Sequence, residues 1–328
     1  MQYTSLGTSG LKVSRIALGC MSFGSKTMGA HTWTLNEETS QSILYSAFDK
    51  GINFFDTANV YSLGDSERIV GRFVNDVGRH NAVLATKVYE PMSGGPLEGG
   101  LSRRSILREI DQSLNRLQTD YVDLYIIHRW DPATPIEETM HALHELVLSG
   151  KVRYLGASSM KAWQFGKAQY IAELHNLTKF ISMQNHYNLL FREEEREMLP
   201  LCIDQGVGVT PWSPLARGLL ARPYSGNSRI STNRSKSDRI TSRLYFDRLD
   251  RDKNIIAAVQ QVAQQHDTTM ACVALAWLMS QQAVTAPIVG ATDIQQLDAA
   301  VEATDLILSS EEISHLEQDY TPRQDVLY

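Results

Sequence analysis

Cysteine is scarce in this chain, with three in 328 residues, at Cys20, Cys202 and Cys272. They stand too far apart to form a zinc set by themselves, so no metal is expected. A few unpaired thiols fit a reducing cytosol. No apolar run approaches the about 18 residues that a membrane-spanning helix needs. The opening Met1-Gln2-Tyr3-Thr4-Ser5 has neither a basic n-region nor an apolar h-region, so no secretory signal and a cytoplasmic location are expected. Basic residues number 31 against 37 acidic ones, for a net charge of -6. Nucleic acid or an anionic membrane would want a basic surface, so neither is expected as main partner. Two catalytic signatures are also missing. There is no G-x-S-x-G. Leu18-Gly19-Cys20-Met21-Ser22-Phe23-Gly24 supplies two glycines without the G-x-G-x-x-G spacing that an open dinucleotide-binding sheet places after its first strand.

What is present is an apolar fraction of 43% with 21% charged residues, enough for a full globular core. Residues 2–14 read as a β-hairpin around Gly7 and Gly10. Eight short apolar strands follow: Val13 to Gly19, 51–56, 82–88, 121–128, 152–157, 180–184, 207–212 and 287–290. Helical periods separate them over 36–50, 65–75, 102–117, 135–149, 161–174, 192–205, 251–265 and 269–280, with further helices near 293–301 and 310–319. Asn36 and Ser102 are expected N-caps, as is Thr134, which precedes Pro135 at a first helical position. Residues 91–100 and the polar stretch 222–250 read as loops. Strand and helix in alternation imply parallel strands with crossover helices. Eight units favour one closed (β/α)8 barrel over residues 1–328, a TIM barrel with an N-terminal hairpin and extra C-terminal helices.

In such barrels catalytic groups collect at the C-terminal ends of the strands. Here Gly51-Ile52-Asn53-Phe54-Phe55-Asp56 ends in a carboxylate, with Tyr61 five residues on. Ala82 to Val88 carries Lys87 near its end, and Tyr121 to Ile127 is followed by His128. Taken singly, the aspartate reads as a cap or turn former, the lysine as solvated, and the histidine as a satisfied polar group. At the ends of successive strands they form a chemically coherent set. A lysine ammonium beside the tyrosine would stabilise phenolate and pull its pKa below the usual value of about 10. The carboxylate would hold the lysine, and the histidine would orient a substrate oxygen. The set suits proton delivery to an oxygen that is becoming an alkoxide, as in carbonyl reduction.

The chain resembles the aldo-keto reductases nearly end to end. The residues that carry the resemblance are Phe55-Asp56-Thr57-Ala58 with Tyr61, Ala85-Thr86-Lys87, Asp123 to His128, Leu155-Gly156-Ala157-Ser158, Gln184, Trp212-Ser213-Pro214-Leu215 and Pro287-Ile288-Val289-Gly290. His128-Arg129-Trp130-Asp131 and Trp212 are similar to the aryl-alcohol dehydrogenase and potassium-channel β-subunit branches rather than to aldose reductases. The resemblance implies an NADPH/NADP+-dependent reductase of aldehydes and ketones, with Asp56, Tyr61, Lys87 and His128 as its tetrad. It further implies that Ser158 and Gln184 bond the nicotinamide carboxamide and that Trp212 stacks on the nicotinamide. Ser213, Leu215, Arg217 and Gly218 would lie along the pyrophosphate, and Gly290, Thr292 and Gln296 would hold the adenosine end. Ser159, Thr292 and Ala299-Ala300 depart from the pattern of relatives and bear on cofactor strength. The stretch 222–250 is locally basic (Arg222, Arg229, Arg234, Lys236, Arg239, Arg243 and Arg248), and one or two of its arginines are expected to reach the 2′-phosphate and offset the Thr292 and Ala299-Ala300 departures.

Met21, Trp33, Tyr89, Arg129 and Trp130 follow strand ends and are expected to line a substrate pocket. Apolar and aromatic walls with one cation suit aromatic or medium aldehydes and ketones; the bland reading of Arg129 is instead a surface ion-pair partner. A small-molecule carbonyl compound is thus the expected partner, and the oligomeric state stays open. The rival reading is an NADP(H)-binding regulatory or sensing subunit with slow turnover.

Overall fold

The structure, a computed structural model, describes residues 1–27, 31–224, 238–245 and 249–323. An antiparallel hairpin comes first, β1 (Tyr3–Ser5) and β2 (Lys12–Ser14). Strands and helices then alternate: β3 (Ala17–Gly19), α1 (Glu37–Asp49), β4 (Phe54–Asp56), α2 (Asp65–Asp76), β5 (Val83–Val88), α3 (Arg103–Leu117), β6 (Val122–Ile127), α4 (Ile136–Leu148), β7 (Val152–Ser158), α5 (Ala162–Leu174), β8 (Phe180–Gln184), α6 (Met198–Asp204) and β9 (Gly208–Val209). The remaining elements are α7 (Arg239–Tyr245), α8 (Leu249–Gln265), α9 (Met270–Ser280), β10 (Ile288–Val289), α10 (Ile294–Glu302) and α11 (Ser310–Glu317).

Strands β3 to β10 form one parallel sheet in the order β10-β3-β4-β5-β6-β7-β8-β9. Its two ends meet. Thr285 N donates to Val209 O at 2.8 Å and Ile288 N to Pro211 O at 2.9 Å, while Ala17 N donates to Pro287 O at 3.0 Å. Closure removes the open edges and gives a (β/α)8 barrel. Leu6 and Val13 of the hairpin pack with Ala17, Phe54, Val83, Ala85, Leu124, Ile126, Ala286 and Ile288 in one inner cluster. The hairpin therefore seals the bottom of the barrel. A second, larger cluster, including Leu18, Phe55, Leu84, Tyr125 and Ile127, lies between strands and helices.

The two clusters reveal the facing of each strand, because side chains alternate with period two. Phe54 points inward and Phe55 outward, so Asp56 points inward. Ala85 sets the same parity for Lys87, and Ile126 sets it for His128. Along β7 and β8, Gly156 precedes Ser158 and Ser182 precedes Gln184. Val209 points outward, which directs Thr210 and Trp212 inward. Strand alternation alone thus sends Asp56, Lys87, His128, Ser158, Gln184 and Trp212 to the C-terminal mouth of the barrel.

Several boundaries differ from expectation. The stretch from Val13 to Gly19 is two elements, because Ser14 Oγ donates to Ile16 O at 2.6 Å in a turn between β2 and β3. Asn36 and Ser102 cap α1 and α3, accepting from Thr39 N and Ser105 N. Thr134 does not cap α4: its hydroxyl donates to Asp131 Oδ2 at 2.7 Å, and Pro135 occupies the N-cap position. The helix expected over 192–205 is broken into a 3₁₀ turn at Glu193–Glu195 and α6. Pro200 supplies the reason: in a continuous helix its ring would strike the carbonyl of Arg196, whereas a restart at Met198 leaves it in the first turn. Within 222–250, residues 239–245 are helical rather than loop. Arg229, Arg234, Lys236 and Arg248 lie outside the described residues. No helix among the described residues is long and apolar enough to cross a membrane.

Candidate active site

Lys87 is the centre of the site. Its side chain is fully buried, and its Nζ donates to Asp56 Oδ1 at 2.6 Å, Thr57 O at 2.8 Å and Tyr61 Oη at 3.3 Å. An ammonium has three donors, and all three are used. Asp56 is equally committed. It is 2% exposed, and its second oxygen, Oδ2, accepts from Gln184 Nε2 at 2.9 Å. Since a carboxylate only accepts, the amide nitrogen of Gln184 must face Asp56, which leaves its carbonyl for another donor.

Tyr61 reaches this pair from a tight turn, Tyr61–Gly64, in which Ser62 and Leu63 adopt left-handed φ of 47° and 49°. Ser62 Oγ anchors the turn by donating to Phe23 O at 3.0 Å. Gly24 (φ 127°) makes room for it, because a Cβ there would lie 2.4 Å from Ser62 Cβ. His128 lies edge-on to Tyr61, with ring centroids 6.0 Å apart at 78°, and its Nδ1 is buried without a hydrogen-bond partner among the described residues.

The electrostatics refine the expectation for Tyr61. Burial raises its pKa and outweighs the lowering by Lys87, so the net direction is upward rather than down. The phenol keeps its proton at neutral pH, and Lys87 lies close enough to stabilise the phenolate once the proton leaves. For Lys87 burial pulls down, but Asp56 and Tyr61 together lift the ammonium above its ordinary value. Cys20, just after β3, is buried, and burial pushes its thiol well up.

Beside the tetrad, Ser158 Oγ donates to Gln184 O at 2.7 Å. Ser159, left-handed at φ 51°, has its N–H on Asn185 Oδ1 at 2.7 Å and its Oγ accepting from Trp212 Nε1 at 3.1 Å. Trp212 stacks on His186 with centroids 4.3 Å apart and planes 8° apart, and His186 stacks on Phe191 at 4.2 Å. Beyond Trp212 the backbone turns through left-handed Ser213, Ala216, Arg217 and Gly218, with Leu215 between them. The Arg217 guanidinium is buried in an ion pair with Asp238. Gly290, Thr292 and Gln296 are exposed at the start of α10, where Gln296 Oε1 accepts from Thr292 N at 3.0 Å. Ala300 is buried in the core, which explains a small apolar residue there.

Met21, Tyr89, Arg129 and Trp130 are half-buried, and Trp33 is buried with its ring 5.0 Å from His31. Tyr89 holds an unusual φ of 147°, fixed by Gly100 N donating to its carbonyl at 2.8 Å. Trp130 and Trp163 meet edge-on, with ring centroids 5.9 Å apart at 61°. Sequence reasoning missed Thr57, the link from Gln184 to Asp56, and the ring behind Trp212. The polar run Gln184-Asn185-His186-Tyr187-Asn188 after an apolar strand was the available signal for the last two.

Two histidines carry a testable pH dependence. Burial holds His128 well below the usual imidazole value, aided by Lys87 and Arg129; burial with Arg217 and Arg323 does the same for His186. The unfolded chain takes up these protons near the ordinary value of about 6.5. Below that pH the unfolded state binds more protons, so stability present above it is lost on acidification. The Tm is expected to fall between about pH 7.5 and 5.5, and to fall less in His186→Phe. An identical fall in that variant refutes the assignment for His186.

A closed parallel barrel with a buried lysine shared by a carboxylate and a phenol at its C-terminal mouth defines a class of barrel oxidoreductases. The chain belongs to the aldo/keto reductase family, which it matches over residues 15–320. It is 45% identical to versiconal hemiacetal acetate reductase of Aspergillus parasiticus over 98% of both chains. It is 43% identical to an aldo-keto reductase of Alternaria alternata, over 97% of this chain and 91% of that one. A Schizosaccharomyces pombe protein named for aryl-alcohol dehydrogenase is also 43% identical, over 98% of this chain and 96% of that one.

Proposed function

We propose that the chain, acting as a single barrel domain, reduces aldehydes or ketones to alcohols with NADPH, and that Tyr61 delivers the proton. The observation that carries the reading is Lys87 Nζ held between Asp56 Oδ1 and Tyr61 Oη at the lumen end of the barrel. When bound, the nicotinamide supplies hydride to the carbonyl carbon. Tyr61 gives its proton to the carbonyl oxygen as negative charge grows there, and Lys87 stabilises the phenolate left behind. Asp56 keeps Lys87 charged and fixed. His128, neutral because its pKa is held low, donates to the same oxygen and orients it.

The residues present fit the cofactor. Ser158 uses its hydroxyl hydrogen on Gln184 O, and Gln184 uses its amide nitrogen on Asp56, so both keep acceptors for a carboxamide NH₂. Trp212 presents a ring held at one edge by Ser159. Ser213, Leu215, Arg217 and Gly218 shape the turn for the pyrophosphate, with Gly290, Thr292 and Gln296 at the adenosine end. Met21, Trp33, Tyr89, Arg129 and Trp130 form the substrate side. Together with the relatives' names, these walls favour aromatic or medium-length carbonyl compounds.

The test is NADPH absorbance with a panel of aromatic and aliphatic aldehydes. Consumption with several aldehydes is expected; NADPH binding without turnover on any of them overturns the reading in favour of a sensing subunit. NADPH preference is proposed from the basic character of 222–250, since arginine forks suit phosphate oxygens. The Michaelis constant for NADPH is expected to be lower than for NADH, with the gap narrowing as salt screens the phosphate. Equal constants at low salt refute the preference.

A further inference from the structure

We infer that His186 is a positioning residue that sets the plane of Trp212, and that Tyr245 and Asn188 set His186, so that the nicotinamide platform is tied to helix α7. The inference rests on the proposed role of Trp212 as that platform. Its basis is the stack itself. His186 and Trp212 are partners in a parallel bridge, with Trp212 N donating to Asn185 O at 3.0 Å, so neighbouring strands deliver both rings inward at one level. The rings are nearly coplanar in orientation, 8° apart at 4.3 Å. Phe191 closes the far face of His186 at 4.2 Å and 22°. An imidazole sandwiched on both faces can still slide in its plane, and the polar contacts stop that. His186 Nε2 shares a hydrogen bond of 2.6 Å with Tyr245 Oη and lies 3.2 Å from Asn188 Nδ2. Asn188 Nδ2 also contacts Tyr245 Oη at 3.0 Å and Ser213 O at 2.9 Å, the residue that follows Trp212.

This arrangement exceeds what filling the core requires. An apolar side chain would occupy the same buried space, yet the chain places there a polar ring whose Nδ1 has no partner among the described residues. Burying an unpartnered polar atom is costly, and the return is a flat, rigid plate behind Trp212 with an anchor on its rim. Trp212 is then fixed at three points: its Nε1 on Ser159 Oγ, its face on His186, and its backbone beside Ser213 through Asn188.

The experiment separates platform from scaffold by using two probes, NADPH and 2′,5′-ADP. The second carries the adenosine and its phosphates but no nicotinamide. In His186→Leu, which loses both stack and rim contacts, NADPH affinity is expected to fall about tenfold or more, as aromatic stacking and a buried hydrogen bond together imply. In His186→Phe, which keeps the stack, the fall should be about a few-fold, and Tyr245→Phe should match it. Affinity for 2′,5′-ADP should hold within about twofold in all three. NADPH and 2′,5′-ADP affinities that fall in parallel show a scaffold role and overturn the inference, as does unchanged NADPH affinity in His186→Leu. His186→Phe no better than His186→Leu removes the stacking argument. A wild-type chain that binds 2′,5′-ADP but gains nothing from the nicotinamide half, or that binds neither, overturns the cofactor reading and this inference with it. Wild-type binding with unaffected variants overturns the inference alone.

Discussion

Tyr61→Phe is expected to lose aldehyde reduction by roughly a hundred- to ten-thousandfold, the usual contribution of a positioned acid, while NADPH affinity stays near wild type. The substitution keeps the ring and its edge contact with His128 and removes only the hydroxyl, which lies 3.3 Å from Lys87 Nζ. Among the described residues no other phenol stands on that lysine: its remaining partners are Asp56 and the carbonyl of Thr57. Single-turnover rates with several aldehydes would read the chemical step directly. A variant within about twofold of wild type across that set would remove Tyr61 from the proposed mechanism.

Lys87→Met is expected to abolish activity and also to destabilise the fold. Methionine fills the space of the stem, but among the described residues Asp56, 2% exposed, is left with only Gln184 as a side-chain donor. Stranding one partner of a buried ion pair typically costs about 3–5 kcal/mol, which for this chain means a Tm lower by several degrees. The double variant Asp56→Asn, Lys87→Met replaces the stranded charge with a neutral amide. It should recover part of the lost Tm and none of the activity. A double variant no more stable than Lys87→Met alone would show that Asp56 and Lys87 are not energetically coupled, whatever their 2.6 Å separation. The pairing would also be refuted if Lys87→Met melted like wild type.

The sequence by itself determined the barrel and the members of the candidate tetrad. Eight apolar segments separated by helical periods leave few architectures, and polar residues at the ends of apolar strands stand out because they interrupt a pattern. Asp56 after Phe54-Phe55, Lys87 after Ala85-Thr86 and His128 after Ile126-Ile127 are legible for that reason. Their common facing was implicit in the period-two alternation, though only the inner and outer clusters show which parity is inward. Tertiary structure decided the rest, because it depends on distances between segments remote in sequence. Gln184 lies 128 positions from Asp56 yet bonds it. Burial reversed the expected direction of the Tyr61 pKa, since the desolvation of a phenol is set by what packs around it rather than by its lysine neighbour alone. Pro200 broke a helix that periodicity had joined, a local rule that a count of apolar positions overlooks. The plate behind Trp212 came from the register of two parallel strands and from a tyrosine 59 positions beyond His186. Hydrophobic pattern specifies which face a residue joins; only the closed barrel specifies whom it meets there.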